Sequence, residues 1–548
     1  MRVNHEALGA GAGETPSEPG AVAGGPGARV PMAIRRRQLA EHLGVLLLGL
    51  LVLVVHDLGY LLRQPFWTDE AWVAVTTRFP LSQLPATTSS TPIGWSALMR
   101  VFTVSGEQTS RLLPLAFAGA AVVIAYWFGR GLGWRWRPAS VAAGLLAGVG
   151  VLLVPAMLVR DDLKQYTADA CAALLTLALT SRLEREWSRR GLVALSVAVW
   201  GGMLFSDAVA FVGVAAFGAV CVVQFARRAW RRLAEAAVVG AGTAVLMLGV
   251  YKGFDARAVV PGLTAYWRGF YLPAGKGLRA DITFVTSHVA DVHAYFGLGP
   301  VWLAVPLVLA GLVAMVKLGR PATAITAAVL WPELLAVSAL QKYPFLDLRT
   351  STFLFAVTAA VAAIGLVGVC SLLRPWLKGL PAAGLAALAV VAFVSHAQPY
   401  VRSHPINNED VRDQAHYVAA HAARGDVILV NLSSNWGFAY YWPIGAPARR
   451  ADAAVLQGYE AYFPDQPDIV VARQRDSAGV NAALAQALAR ARQGACSRIW
   501  LVRTHLSTAE RLAWRTALRQ QQLKNTPVGH DGLSVIPAAG SGCRRVTG

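Results

Sequence analysis

Charge is scarce in this chain. Of 548 residues only 15% are charged and 55% are hydrophobic, where a typical soluble domain carries about 25% charged residues. With a mean hydropathy of +0.45, that deficit excludes a soluble globular protein and a disordered one. It also excludes a soluble enzyme on a single anchor, because the apolar excess runs through most of the chain. Cysteine is scarce as well, and five residues do not make a disulfide scaffold. Cys171, Cys221 and Cys370 sit in apolar segments as small core residues. Cys496 and Cys543 are placed to pair if the C-terminal region is exported. Acids are few, 31 against 50 Lys and Arg, for a net charge of +19. In a soluble chain that excess suggests nucleic acid. Here basic cytoplasmic loops that hold the topology account for it, and no nucleic-acid partner is expected. There is no glycine-rich phosphate loop and no internal repeat.

What the chain has in abundance is long apolar runs. They lie near 39–62, 111–129, 138–159, 166–181, 191–205, 207–226, 233–251, 301–317, 321–340, 350–373 and 379–398. Each approaches the roughly 20 apolar residues that cross a bilayer as a helix. The pattern predicts a polytopic α-helical membrane protein with about 11 transmembrane helices. The pair 191–205 and 207–226 is short, with Asp207 at its junction. Residues 1–38 are a Gly-, Ala- and Pro-rich tail without periodicity that ends in Arg35, Arg36 and Arg37. The run after it is too long for a signal-peptide core and reads as an uncleaved anchor.

Short basic loops set the orientation. Arg130, Arg135 and Arg137 share one loop, and Arg182, Arg185, Arg189 and Arg190 the next on that side. Arg227, Arg228, Arg231 and Arg232 follow, then Lys317 and Arg320, then Arg374 and Lys378. All fall on the side of the N-terminal arginines, which places the N-terminus in the cytoplasm of a plasma (inner) membrane. An odd number of spans then exports everything after about residue 400. The expected organisation is a cytoplasmic tail, 1–38; a membrane domain, 39–400, with long exoplasmic loops 63–110 and 252–300; and a soluble domain, 401–548. In the first loop, Trp67, Trp72 and Trp95 suit amphipathic helices lying in the membrane interface. In 401–548, helical and strand patterns alternate, with buried-strand runs at 427–431, 498–502 and 533–536. That alternation predicts a small α/β domain.

Three stretches could carry chemistry. Asp69 and Glu70 adjoin each other just beyond the first span, flanked by Trp67 and Trp72. Two solvated loop acids are the plain alternative, but a carboxylate held at the membrane interface can act as a base or bind a cation. In the second stretch, Asp162, Gln165, Tyr166 and Asp169 stand at helical spacing and make one polar face. Lys164 beside them can meet a phosphate or simply pair with Asp161. In the third, Lys342 and Arg349 lie on the outer side, against the basic-inside bias. A lipid phosphate explains them, and so does interfacial anchoring. His288 and His293 flank Asp291 at a spacing poor for one helix face, a weak metal signal.

Together these residues resemble the GT-C superfamily of membrane glycosyltransferases. Within it the chain is similar to the bacterial relatives of protein O-mannosyltransferases and lipid A aminoarabinose transferases. The match rests on Asp69-Glu70 after the first span, on the stretch Asp162 to Asp169, and on the last span leading into an exoplasmic α/β domain. The resemblance implies transfer of a sugar from a polyprenyl-phosphate donor to an acceptor hydroxyl on the exoplasmic face, the acceptor being a glycan, a lipid or a protein. It implies Asp69 as base, Glu70 as a positioning residue and Asp162 as support for the acceptor or a cation. Lys164, Lys342 and Arg349 are chosen for phosphate by charge and side. Gln165, Tyr166 and Asp169 complete the substrate-binding set. Some members use a divalent cation such as Mg or Mn; no other cofactor is implied. Two rivals stand beside this reading. One is a noncatalytic cell-envelope assembly protein on a similar scaffold. The other is a lipid or glycan transporter, which would favour repeats and broken helices in matching halves.

Overall fold

The computed structural model describes residues 32–87, 91–104, 106–154, 163–258, 265–292, 301–373, 391, 395, 410–443, 448–451, 459–463, 465–493, 497–529 and 532–537. Asp162, His293, Cys496, Cys543 and nearly all of the 379–398 run lie outside them. The chain forms two compact units, Met1–Gly44 and Val45–Gly548. The described part of the first is the beginning of helix α1 (Met32–Leu50).

The second unit is mostly helical up to residue 373. In order come α2 (Thr68–Arg78), α3 (Ile93–Val104), α4 (Leu112–Arg130), α5 (Arg137–Leu152), α6 (Tyr166–Arg185), α7 (Arg189–Gly202), α8 (Val209–Ala226), α9 (Trp230–Val250), α10 (Leu278–Val292), α11 (Val301–Lys317), α12 (Pro321–Ala339) and α13 (Thr352–Leu373). Six helical stretches among the described residues are long and apolar enough to cross a membrane. They are Gln38–Val55, Glu107–Arg130, Val209–Ala226, Trp230–Asp255, Pro321–Ala339 and Thr352–Leu373. Arg137–Leu152 and Leu303–Lys317 are apolar but shorter. The short pair around Asp207 is two helices, α7 and α8, separated by a turn. α6 starts at Tyr166 with Gln165 at its N-cap, so of the polar face expected from Asp162, Gln165, Tyr166 and Asp169 the helix itself carries Tyr166 and Asp169.

Burial follows from composition. α13 has no charged residue and is buried along most of its length, the mark of a central helix. α9 buries only Ala236, Thr243 and Met247 and is peripheral. α11 meets α13 backbone to backbone. A Cβ at Gly365 would overlap the Leu307 carbonyl, and one at Gly311 the Val361 carbonyl.

After residue 410 come α14 (Val411–His421), β1 (Val427–Val430), α15 (Asn435–Tyr441), β2 (Ala448–Ala451), β3 (Tyr459–Tyr462), β4 (Ile469–Val471), α16 (Ser477–Ala491), β5 (Ile499–Val502), α17 (Thr508–Gln520), β6 (Thr526–Pro527) and β7 (Ser534–Ile536). Five strands form one sheet in the order β4-β1-β5-β7-β6. β1 is parallel to both β4 and β5, while β7 runs antiparallel to β5 and β6. β1 and β5 are buried at every position, so their side chains feed both faces. Val427 and Leu429 meet Val480, Leu484 and Trp514 of α16 and α17. Ile428, Val430, Trp500 and Val502 face the other way, into a core with Trp436 and Phe438 of α15 and with Trp72, Val73 and Val75 of α2. The first-loop helix is thus the outer layer of the C-terminal sheet's core. Trp72 and Trp95 are 3% and 0% exposed, so they serve as core residues and not as interface anchors.

Candidate functional site

The site grows from the N-terminus of α2. Asp69 and Glu70 occupy its first turn, where carboxylates meet the positive end of the helix dipole. Glu70 reaches back to the Trp67 N–H at 3.4 Å. Its main partner is Arg111, which donates from Nε to Oε1 at 2.8 Å and from Nη2 to Oε2 at 2.5 Å. This two-pronged pair is fully enclosed, with side-chain exposures of 2% for Arg111 and 1% for Glu70. Arg111 also donates to the carbonyls of Leu61 (2.7 Å), Gln64 (2.6 Å) and Pro65 (3.0 Å). One guanidinium therefore ties the chain after the first span to α2 and to the start of α4.

Asp69 lies next to this clamp at the surface of the core. Lys164 Nζ approaches its Oδ2 at 3.1 Å, and Arg349 Nη1 donates to the same oxygen at 2.5 Å. Oδ1 has no hydrogen-bond partner among the described residues. Lys164 is 6% exposed, Arg349 21% and Asp69 18%. Each cation also sits over an indole ring, Lys164 over Trp72 and Arg349 over Trp67. Burial by itself pushes the Asp69 carboxyl upward. Attraction to Lys164 and Arg349, with their hydrogen bonds, outweighs it and holds the group well below the usual carboxylate range.

Both cations are held in place. The Trp95 indole N–H donates to the Leu163 carbonyl at 2.8 Å, fixing the residue before Lys164. Arg349 lies within a turn in which Asp347 accepts from the Thr350 N–H and hydroxyl, and the Tyr343 hydroxyl donates to the Thr350 carbonyl. Three regions about 95 and 185 residues apart in sequence thus converge on one carboxylate oxygen.

The other expected residues separate into groups. Gln165 donates to Asp207 Oδ2 at 2.8 Å, and Asp169 accepts from the Ala208 N–H at 3.4 Å. Both are buried, as is Tyr166. Gln165 Oε1 and Asp169 Oδ2 are buried without a partner among the described residues. Lys342 is exposed and forms no ion pair among the described residues. His288 is occupied by the Phe284 carbonyl. No group of three His, Cys, Asp or Glu side chains able to hold a metal is found among the described residues. Sequence reasoning missed Arg111 and the partnership of Asp207. The signal for Arg111 was a cation at the start of an apolar run, on the side where the expected topology disfavours basic residues.

The C-terminal segment reaches this site through hydrogen bonds between side chains and backbone. The Thr68 hydroxyl donates to the Ser433 carbonyl at 3.0 Å, and the Phe66 N–H to the Tyr441 hydroxyl at 2.6 Å. Glu107 and Arg412 add an ion pair at 3.4 Å.

No family model and no curated protein sequence matches the chain. Solved structures do. The chain is similar to ArnT from Cupriavidus metallidurans in the apo state, with a TM-score of 0.50 and 14% identity over 91% of this chain and 98% of that one. The same protein bound to undecaprenyl phosphate matches with a TM-score of 0.49 and 14% identity over 91% and 98% of the two chains. The oligosaccharyltransferase AglB from Archaeoglobus fulgidus, in complex with an inhibitory peptide and a dolichol-phosphate, matches with a TM-score of 0.43 and 12% identity over 84% and 69%. At these identities the likeness is one of fold.

Proposed function

Starting from a multi-pass membrane protein with the fold of the GT-C glycosyltransferases, we propose that this chain moves a sugar from a polyprenyl-phosphate donor to an acceptor hydroxyl on the exoplasmic face. The observation that carries the proposal is the convergence of Lys164 and Arg349 on Asp69. Two enclosed cations beside one carboxylate suit a reaction in which a phosphate leaves as a hydroxyl proton is removed. Nucleotide sugars do not reach the outer face, so an activated sugar must arrive there on a lipid. The acceptor oxygen attacks the anomeric carbon, and the bond from that carbon to the phosphate oxygen breaks. The phosphate keeps the electron pair and is stabilised by Lys164 and Arg349. The acceptor's proton passes to Asp69, whose Oδ1 is the uncommitted oxygen.

Glu70 acts through Arg111, holding α2 at the correct depth. Lys342, on the same loop as Arg349, adds positive charge at the approach. Asp162 supports the acceptor or a divalent cation, and Gln165, Tyr166 and Asp169 line the donor side. The proposed topology has eleven spans, a cytoplasmic N-terminus and an exoplasmic α/β domain from about residue 401. The test is a lipid and glycan comparison of a deletion strain. A polyprenyl-phosphate sugar should accumulate, and wild-type protein but not Asp69→Asn should clear it. An unchanged lipid and glycan profile would defeat the proposal.

A further inference from the structure

A cavity of about 670 Å³ opens at the opposite end of the helices from Asp69. Its floor is α11 and α13 (Leu309, Ala310, Val313 and Gly368 among others), and its lip is the loop Trp134-Arg135-Trp136 together with Lys317. Arg349 precedes the first turn of α13, whereas Ser371 and Leu372 line the cavity at that helix's other end. At 1.5 Å per residue the 22 residues of α13 separate the two places by about 33 Å, the thickness of a bilayer core. This cavity therefore cannot be part of the Asp69 site.

Its chemistry has two parts. The floor is apolar and recessed because small residues, Ala310, Ala314 and Gly368, stand where larger ones would fill it. The contacts at Gly311 and Gly365 fix the two helices below it, so the groove is preformed. The lip is cationic: Arg135 and Lys317 are exposed, and neither forms an ion pair or side-chain hydrogen bond with another described residue. Trp134 and Trp136 stand beside them, as tryptophans do at headgroup level. An apolar groove with two unneutralised cations at its mouth complements a molecule with an anionic head and hydrocarbon tails.

We propose that this groove is a binding site for an anionic diacyl phospholipid of the leaflet facing the short basic loops. The phosphate lies between Arg135 and Lys317, and an acyl chain lies along Leu309, Val313 and Gly368. The proposal does not depend on the transferase reading, because the site is at the other face of the membrane.

The test is native mass spectrometry of the full-length protein with phosphatidylglycerol, phosphatidylcholine or polyprenyl phosphate added in equal amounts. Phosphatidylglycerol should be retained preferentially. Arg135→Gln with Lys317→Gln should cut its apparent affinity about 30-fold, at roughly a factor of five for each cation near the membrane surface. The exchange Arg135→Lys with Lys317→Arg keeps both charges and should retain the lipid, which controls for misfolding. Removing two cations elsewhere on that side, Arg190→Gln with Arg227→Gln, should leave retention unchanged. Equal retention of phosphatidylcholine, unchanged retention by the first double variant, or preferential retention of polyprenyl phosphate would each overturn the proposal.

Discussion

Asp69→Asn separates two roles that the proposed reaction gives to one carboxylate. In the proposed reaction Asp69 is the base that transfer requires. At rest, its Oδ2 occupies the two cations assigned to the donor phosphate. Hydrogen bonds to charged groups are worth about 1.5–3 kcal/mol each, and an incoming phosphate must displace them. Asparagine keeps the size but removes the charge, so Lys164 and Arg349 are left with less to give up. Even one half-strength pair, about 1.4 kcal/mol, is a tenfold change in affinity. Polyprenyl phosphate without sugar should therefore bind Asp69→Asn about tenfold or more tightly, while transfer falls by about 10²–10⁴-fold. The same exchange would let so acidic a group act as the proposed base. When the phosphate draws the cations away, the carboxylate loses its counter-charge and its proton affinity rises. The assay pairs equilibrium binding of polyprenyl phosphate with transfer from a radiolabelled donor. Weaker binding by the variant would refute the competition, and near-normal transfer would refute the base.

Three further outcomes follow from the geometry. Arg111→Leu leaves the buried Glu70 charge unpaired and should destabilise the protein by about 3–5 kcal/mol, read as a lowered Tm, while Glu70→Gln costs less because it can still hydrogen-bond Arg111. Asp69 is more acidic folded than unfolded, so its pairing stabilises the protein above the unfolded pKa of about 3.9 and fades as pH falls toward the depressed native value. Between about pH 5 and 3 the Tm of wild type should therefore fall more steeply than that of Asp69→Asn, and parallel slopes would contradict the pairing. Tyr441→Phe leaves the Phe66 N–H without its acceptor, at a cost of about 1–3 kcal/mol, and should lower kcat more than it changes KM if the C-terminal segment seats α2.

Legibility of the sequence varied with the kind of signal. Apolar runs announced most helices, since period and length survive any packing; α13 lies within its expected run. The strands β1, β5 and β7 fall within the expected runs for the same reason. Asp69 was singled out by its place after the first apolar run, and Lys164, Lys342 and Arg349 by charge and expected side; that Lys164 and Arg349 meet on Asp69 was not legible, because nothing local links residues so far apart. Arg111 was hidden because a cation at the edge of a span looks like an anchor. Trp72 and Trp95 were misplaced because an aromatic near a span suits either a lipid interface or a buried core. Only the sheet that covers them decides, and it lies more than 300 residues downstream.

That last dependence has a consequence for how the protein is made. α2 emerges early, yet the hydrophobic partners that close over it, from Val411 to Val502, are synthesised roughly 330 to 420 residues later. At about 5–20 residues per second the ribosome needs roughly 20–85 s to deliver them all. Through that interval Trp72, Val73 and Val75 have no sheet to pack against, and Thr68 and Phe66 lack the hydrogen bonds to Ser433 and Tyr441. A nascent or truncated chain can thread its early helices into the membrane while α2 stays uncovered. Closure of the core over α2 then becomes a late event of biogenesis, after Lys164 and Arg349 are already available to Asp69.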